Sequence, residues 1–328
     1  MSDKDALPLV LAVPSKGRLQ DNTNHFFSRA GLMFKQSRGE RDYRGTIAGV
    51  PDVEVAYLSA SEIAAELASG GAHLGITGED LIRENIEDAA DRLALLTPLG
   101  FGHANVVVAV PQAWIDVTRM TDLEDAAARF RQRHGRKMRV ATKYVHLTRR
   151  FFSLHGISDY RIVESLGATE GAPAAGSAEL IVDITTTGAT LTANALKVID
   201  DGVMLRSEAN LVASVVAPWG ARQRQAAATI LRRIAAEEEA RTHRLVTADG
   251  PSLTPDQLLD LQTQFEARPV GQATDAGQVL QCPANQLFAV TDHLLAWGAQ
   301  RVAVSQSDYI FRPANPLLAA LEARIGAA

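Results

Sequence analysis

The most concentrated group of polar side chains in the sequence lies at residues 182–194, VDITTTGATLTAN. An apolar run ends there at an acid, Asp183, and is followed by a loop rich in hydroxyl groups and then by a stretch of helical character. The loop consists of Thr185, Thr186, Thr187, Gly188, Ala189 and Thr190. A helix start offers unpaired backbone N–H groups, threonine adds hydroxyl donors, and glycine lets the backbone approach a ligand closely. This arrangement indicates a phosphate-binding loop.

Asp183 needs a separate explanation, because a carboxylate repels a phosphate group. It fits ribose hydroxyls, or a Mg²⁺ ion that bridges hydroxyls and a diphosphate. Ordinary capping of a helix by threonine accounts for one threonine of this loop but not for all of them. The stretch resembles the phosphoribosyl-diphosphate loop of phosphoribosyltransferases. The common form of that loop has two adjacent acids, whereas Ile184 occupies the second position here.

Two other turns carry charged groups directly after a predicted strand. In PSKGRL, Lys16 and Arg18 flank Gly17, and two cations on a flexible turn are suited to holding phosphate groups. In GITGEDLI, Glu79 and Asp80 open a helix, where the helix dipole favours acids even without a ligand. From these residues alone, a ligand-binding role and an ordinary structural role stay open for both turns.

The framework that positions these turns is predicted by alternating apolar and amphipathic segments. Apolar runs predict strands at 9–13, 53–58, 73–77, 105–110, 138–142, 161–164 and 180–184. Helices are predicted between them, with capping-box spacing at Ser59/Glu62 and at Thr121/Glu124, and with Phe151 and Leu154 facing inward. The alternation predicts a mostly parallel sheet covered on both faces, and its extent favours two lobes. Ligands bind beyond the C-terminal ends of strands in such sheets, which is where the three polar turns lie.

Composition limits the class of protein. The chain has 328 residues, 46% of them hydrophobic and 22% charged, which is typical of a globular protein with a substantial core. A formal net charge of -5 argues against a general nucleic-acid binder. The single cysteine, Cys282, excludes an internal disulfide framework. The apolar run at 7–14 is too short for a membrane span and follows acids, so we expect no signal peptide and a cytoplasmic protein.

The character of the sequence changes after Pro218. A long helix is predicted at 221–241, and the acidic run Glu237, Glu238 and Glu239 on it is interpreted as a solvated helix face. Strands at 244–247, 278–281 and 301–305 alternate with helices at 255–266 and 286–297, and 270–277 is predicted to be a loop. This pattern predicts a small separate α/β domain.

The motifs together resemble one family, ATP phosphoribosyltransferase, the first enzyme of histidine biosynthesis. The matching stretches include AVPSKGRL, RVATKYVHLTRRFF, GATEGAP and VDITTTGATLTAN, besides residues 41–82, and they occur in the order of the family. The resemblance covers most of residues 9–215 and departs at Ser15, which is inserted before the lysine of the first motif.

The resemblance implies a two-lobed α/β catalytic core, similar to periplasmic binding proteins, with the active site in the cleft. It also implies a small C-terminal domain of ferredoxin or ACT type. We expect residues 1–106 and 208–243 to form lobe I, 107–207 to form lobe II, and 244–328 to form the C-terminal domain. The family transfers the phosphoribosyl group of phosphoribosyl diphosphate to N1 of ATP, releases pyrophosphate and depends on Mg²⁺.

The resemblance also implies roles for particular residues. Loop 185–190 would bind the ribose 5′-phosphate and Asp183 the ribose hydroxyls. Lys16 and Arg18 would act on the diphosphate or the ATP phosphates, so that these two and Asp183 form the expected catalytic set. The expected ATP-binding residues are Lys16, Arg18, Glu79, Asp80, Lys143, Tyr144 and Glu170. The substrate phosphates, rather than a dedicated set of ligands, would carry most of the Mg²⁺ coordination.

Long members of the family have a C-terminal domain that binds histidine and supports hexamers, whereas short members need a separate regulatory partner. The length of this chain resembles the long form, so histidine is a candidate feedback inhibitor and a homo-oligomer, dimer or hexamer, is expected. EARPVGQATDAG stands where the family has Leu-Pro-Gly and Ser-Pro-Thr, so the domain is regulatory-like but divergent. A two-lobed solute-binding protein without catalysis is the alternative from another class.

Overall fold

Three β-sheets organise the part of the chain that the computed structural model describes, residues 7–36, 43–271 and 277–326. The strands are β1 (Leu9–Pro14), β2 (Phe34–Gln36), β3 (Arg44–Ile47), β4 (Val50–Leu58), β5 (Leu74–Gly78), β6 (Leu93–Pro98), β7 (Ala104–Pro111), β8 (Met138–Thr142), β9 (Tyr160–Glu164), β10 (Leu180–Thr185), β11 (Leu196–Ser207), β12 (Ala209–Ser214), β13 (His243–Asp249), β14 (Arg268–Pro269), β15 (Gln278–Pro283) and β16 (Arg301–Ser305). The helices are α1 (Gly17–Arg29), α2 (Ala60–Ser69), α3 (Glu79–Asn85), α4 (Ala89–Arg92), α5 (Met120–His134), α6 (Val145–Leu154), α7 (Ala189–Ala193), α8 (Ala221–Thr242), α9 (Pro255–Phe265), α10 (Leu287–Ala296) and α11 (Pro316–Ile325).

The first lobe is built on a seven-stranded sheet of order β2-β3-β4-β1-β5-β12-β6. Its central strands are apolar on both sides because helices cover both faces. On one face, the core includes side chains of α1, α8 and α11, such as Phe27, Ile230 and Leu321. On the other, α2 and α3 contribute Ile63 and Ile82.

The second lobe is built on a five-stranded sheet of order β11-β7-β10-β8-β9. Helices α5 and α6 pack on one face, where Leu123 and Phe152 join the core. The short helix α7 packs on the other face through Leu191. The chain crosses between the lobes twice, from β6 to β7 and from β11 to β12.

The prediction of mostly parallel sheets was wrong. In each of these two sheets, two strand pairings are parallel and the others antiparallel. The double crossing explains part of this, since β12 returns to the first lobe between β5 and β6 and runs antiparallel to both. The consecutive strands β2, β3 and β4 add two antiparallel pairings at one edge of the first sheet. Two of the four parallel pairings, β1 with β5 and β8 with β10, bring the polar turns together.

Of the two capping boxes predicted at helix starts, one is present and one is not. The capping box of Ser59 and Glu62 at the start of α2 is confirmed. The predicted box at Thr121 and Glu124 was wrong, because α5 begins at Met120 and the Asp122 carboxylate accepts the Arg119 N–H at 2.8 Å.

The inward face of α6 was also predicted only in part. Phe151 packs partly buried against the second-lobe core, but Leu154 is 84% exposed. Phe152 is the fully buried aromatic side chain of α6, and Thr148 on the same helix is buried as well.

The C-terminal domain is a four-stranded antiparallel sheet of order β14-β15-β13-β16. Two crossover helices, α9 and α10, cover one face, with Leu261, Val290 and Leu294 in a separate core. This βαββαβ arrangement is ferredoxin-like, as predicted. Of the predicted loop at 270–277, residues 272–276 lie outside the described residues, as do Met1 to Ala6 of the N-terminal segment.

The chain after β16 returns to the first lobe. The Tyr309 hydroxyl donates to the Arg29 carbonyl at 2.8 Å, and α11 then packs on α8 through Leu317 and Leu321. This return places Arg312 beside the acidic run of α8, residues 237–239.

The prediction of a solvated face for that run was wrong for two of its three acids. Glu237 is buried and accepts a hydrogen bond from Arg29 at 2.9 Å, and Glu239 accepts one from Arg312 at 2.7 Å and one from Gln281 at 2.9 Å. Neighbouring segments pack around this end of α8, so the carboxylates face arginines there rather than water.

Among the described residues, none of the helices combines the length and the apolar composition that crossing a bilayer requires.

Candidate active site

Four polar turns lie at the C-terminal ends of parallel strands, two in each lobe. Lys16 and Arg18 follow β1, and Glu79 and Asp80 follow the adjacent β5. Lys143 and Tyr144 follow β8, while Asp183 lies near the end of the adjacent β10.

The Asp183 carboxylate is half-buried and is held by its own strand end. Its Oδ1 accepts the backbone N–H of Ile184 at 2.8 Å. Burial raises the pKa of Asp183, and the charge of Glu170 adds to this effect, whereas the Ile184 N–H and the Lys143 ammonium oppose it. Lys143 and Glu170 thus both act electrostatically on Asp183, although the three residues come from three segments of the sequence.

The hydroxyl-rich loop is folded by its own threonines. Thr185 Oγ1 accepts the Gly188 N–H at 2.8 Å, and Thr187 Oγ1 accepts the Ala189 N–H at 3.4 Å. Gly188 has a φ of 76°, a left-handed conformation that strains any residue with a Cβ. This is the position at which the loop requires glycine.

Two further threonines of the loop differ in what they face. The Thr186 hydroxyl donates to the His103 carbonyl at 3.0 Å, which ties the loop to the first crossing between the lobes. Thr190 is exposed at the start of α7, and Ala189 beside it is exposed as well. Thr187 and Thr190 therefore present their side chains to solvent on the same short segment.

The β1–α1 turn approaches the same crossing from the first lobe. A Cβ added at Gly102 would lie 3.3 Å from the Leu19 side chain, one residue after Arg18. Lys16 and Arg18 are both exposed, and Gly17 between them has a φ of 70°. Lys16 also lines a cavity of about 500 Å³ together with Ser59 and Glu62.

Asp80 and Tyr144 are hydrogen-bonded to each other. The Tyr144 hydroxyl donates to Asp80 Oδ2 at 2.8 Å, and the Ser207 hydroxyl donates to Asp80 Oδ1 at 2.8 Å. Burial, followed by the charge of Asp80, raises the pKa of Tyr144 far above its usual value. Glu79 pairs with Arg83 on its own helix at 3.1 Å.

Sequence reasoning missed two polar residues that join the lobes, Ser207 and Glu84. Ser207 lies at the end of β11, which no sequence pattern identified, and Glu84 reads as an ordinary helix acid. Only the fold shows that Glu84 accepts hydrogen bonds from the other lobe. Among the described residues, no group of three or more histidine, cysteine, aspartate or glutamate side chains is arranged to hold a metal ion.

Fold and site together define a two-lobed α/β protein with a threonine-rich loop that is tied to the first crossing between the lobes and lies beside a half-buried carboxylate. Comparisons with known proteins agree on a family. The sequence model described as ATP phosphoribosyltransferase (HisG) matches residues 59–236.

Full-length relatives carry the same description. An ATP phosphoribosyltransferase from Bradyrhizobium diazoefficiens is 59% identical over 318 residues, which is 96% of this chain and 98% of that protein. One from Afipia carboxidovorans is 58% identical over 322 residues, 98% of this chain and 99% of that protein.

A solved structure supports the fold. The ATP phosphoribosyl transferase (HisG:HisZ) complex from Thermotoga maritima matches with a TM-score of 0.53 and 24% identity, over 69% of this chain and 95% of that chain. The chain belongs to the ATP phosphoribosyltransferase family, and it is a pentosyl-transferring enzyme of histidine biosynthesis. The resemblance read from its motifs, and the predicted fold class, are confirmed.

Proposed function

We propose that the enzyme transfers the 5-phosphoribosyl group of phosphoribosyl diphosphate to N1 of ATP and releases pyrophosphate, with Mg²⁺ as cofactor. The observation that carries the proposal is the pairing of Asp183 with the loop at 185–190. The loop exposes hydroxyl groups on a backbone shaped by Gly188, and the carboxylate beside it has one backbone donor and raised pKa.

In this proposal the loop binds the ribose 5′-phosphate and Asp183 accepts hydrogen bonds from the ribose hydroxyls. The bond between C1 and the diphosphate oxygen breaks while the bond from C1 to adenine N1 forms. Positive charge develops on the ribose ring, and a nearby carboxylate stabilises it. Adenine N1 already carries a lone pair, so the reaction needs no general base, and positioning dominates catalysis.

The leaving diphosphate is assigned to Lys16 and Arg18. Both side chains are exposed on the turn that approaches the interlobe crossing, where cations neutralise the charge that leaves with pyrophosphate. Asp183 is chemically suited to provide one ligand to Mg²⁺, with the other ligands from the substrate, and the ion would supply further neutralisation of the diphosphate.

The adenine nucleotide is assigned to the side of the cleft that Lys143 and Glu170 occupy. Lys143 is exposed, and its ammonium lies 5.0 Å from the centroid of the Tyr144 ring. Of the other residues expected to bind ATP, Glu79 is paired with Arg83, and Asp80 and Tyr144 are bonded to each other. We therefore assign Asp80 and Tyr144 to holding the cleft rather than to contacting ATP.

The proposed lobe boundaries are those expected from sequence, with α11 packed on the first lobe although it belongs to the range 244–328. The C-terminal domain is proposed to bind histidine as a feedback inhibitor and to support a dimeric or hexameric assembly. A cytoplasmic location fits this role.

Pyrophosphate release tests the reaction. The chain incubated with ATP, phosphoribosyl diphosphate and Mg²⁺ should release pyrophosphate only when all three are present, with a matching rise in absorbance from the modified adenine. Binding of either substrate without pyrophosphate release would favour the solute-binding alternative. A histidine titration of the same assay tests the C-terminal domain, and full insensitivity would refute inhibition by histidine.

A further inference from the structure

A glutamate of the first lobe caps a helix of the second lobe. Glu84 lies on α3 and is only 8% exposed, although it carries a charge. Its two carboxylate oxygens accept the backbone N–H groups of His146 and Leu147, each at 2.9 Å. Both donors belong to the first turn of α6, in the second lobe.

Helix α6 has no cap of its own. Its first N–H groups have no partners within the helix, and the residue before it, Tyr144, provides no side-chain hydrogen bond to them. A carboxylate at this end also interacts favourably with the helix dipole. The other lobe therefore supplies what the second lobe lacks, and the two hydrogen bonds exist only while the lobes are together.

Three neighbouring contacts also join α3 to the second lobe. Asp80, one turn before Glu84 on α3, accepts the Tyr144 hydroxyl at 2.8 Å. The Arg150 guanidinium donates to the Arg83 carbonyl. Ser207 completes the set from the second crossing, by donating to Asp80 at 2.8 Å. The segment 144–150 is thus held from the first lobe along its whole length.

This segment begins at the candidate active site. Lys143 directly precedes it, lies over the Tyr144 ring and acts electrostatically on Asp183. A shift of the first turn of α6 would displace Lys143 relative to Asp183. The contacts of Glu84 therefore set a distance within the site, although Glu84 itself has no reacting atom to touch.

We infer that Glu84 is a positioning residue, which fixes the turn 143–147 from the first lobe and thereby the place of Lys143 beside the strand that carries Asp183. The inference rests on the proposed function for its effect on rate, but its structural part does not.

The test is the variant Glu84→Gln. Glutamine keeps the shape but turns one acceptor into an amide donor that faces a backbone N–H. We expect kcat to fall by about ten- to a hundredfold, as a misplacement of about 1 Å does, while KM for both substrates changes by less than about twofold. The matched control is Glu87→Gln. Glu87 and Glu84 both line a cavity between α3 and α6, but Glu87 is exposed and makes no hydrogen bond among the described residues. This variant should leave kcat unchanged.

A second readout needs no catalysis. In the ligand-free protein, the distance between probes on the two lobes should lengthen in Glu84→Gln and stay constant in Glu87→Gln. Unchanged kcat together with an unchanged interlobe distance would overturn the inference. A wild-type chain without pyrophosphate release, but with a lengthened distance in Glu84→Gln, would refute the proposed function and support the positioning of the turn. If Glu84→Gln does not fold, Tyr144→Phe tests the same turn, because it removes the hydrogen bond from Tyr144 to Asp80. The interlobe probe distance is again the readout.

Discussion

Asp80 and Asp183 occupy equivalent places in the two lobes, near the C-terminal end of a strand that borders the cleft, but their surroundings are opposite. Asp80 is buried and accepts hydroxyl donors on both oxygens, one from Tyr144 and one from Ser207. Asp183 is half-buried, has the Ile184 N–H as its donor, and lies near the like charge of Glu170.

The difference distinguishes a carboxylate that supports the fold from one that is suited to binding a ligand. A buried charge whose oxygens are all hydrogen-bonded within the protein stabilises one arrangement of the chain. A carboxylate that is partly desolvated and poorly supplied with donors is held in an unfavourable state, which a ligand can relieve. By this comparison Asp80 joins the lobes, whereas Asp183 has the hydrogen-bonding capacity that the proposed binding of ribose hydroxyls or a substrate-bound cation would use.

The largest expected effect is on activity at Asp183. Asp183→Asn should lower kcat/KM for phosphoribosyl diphosphate by roughly 10²–10³-fold, because the negative charge that stabilises the ribosyl cation is lost. ATP binding, measured by calorimetry without the second substrate, should change far less. Asp200→Asn, an exposed aspartate of β11, serves as the control and should keep full activity.

An equal loss of affinity for both substrates in Asp183→Asn would contradict this placement. It would mean that the carboxylate shapes the whole cleft, as Asp80 does, and the contrast between the two aspartates would disappear.

The same contrast explains how far the sequence could predict the site. Asp183 and its loop are a local motif, so strand, acid, hydroxyls and glycine were visible within 13 consecutive residues. Strand β8 was also predicted with its observed bounds, because its apolar run is covered on both faces. Such features depend on neighbours in the chain, which periodicity and composition report.

The partners of Asp80 could not be predicted in this way. Ser207 lies 127 residues away from it and Glu84 lies 62 residues from His146, so both contacts exist only after the chain has crossed from the first lobe to the second. Strand β12 was missed for a related reason. Its residues ANLVAS carry a weak pattern, but all six are buried because the strand inserts between β5 and β6.

The second prediction concerns Tyr144, whose hydroxyl is bonded to Asp80. Tyr144→Phe leaves a buried carboxylate oxygen without its donor, so the free energy of unfolding should fall by about 1.5–3 kcal/mol. KM for ATP should stay within about twofold of the wild type, since the hydroxyl is already used within the protein. Urea denaturation and steady-state kinetics measure the two quantities. A large rise in KM for ATP at unchanged stability would instead indicate that Tyr144 contacts ATP.

The smallest expected effect is a change in the pH dependence of stability at Asp183. Burial raises the pKa of this carboxyl above its usual value of 3.8, so the folded protein binds the proton more tightly than the unfolded chain. The ionised carboxylate therefore opposes folding at neutral pH, and this cost disappears as the pH falls through the raised pKa.

Asp183→Asn removes that cost, so its unfolding temperature should exceed that of the wild type at pH 7, and the gap should narrow as the pH approaches about 4. Thermal unfolding across this pH range measures it. Asp80→Asn gives the contrast, because it weakens a satisfied buried site and should lower the unfolding temperature at pH 7. A lower unfolding temperature for Asp183→Asn as well would mean that both carboxylates stabilise the fold, and that Asp183 is not held in an unfavourable state for the benefit of catalysis.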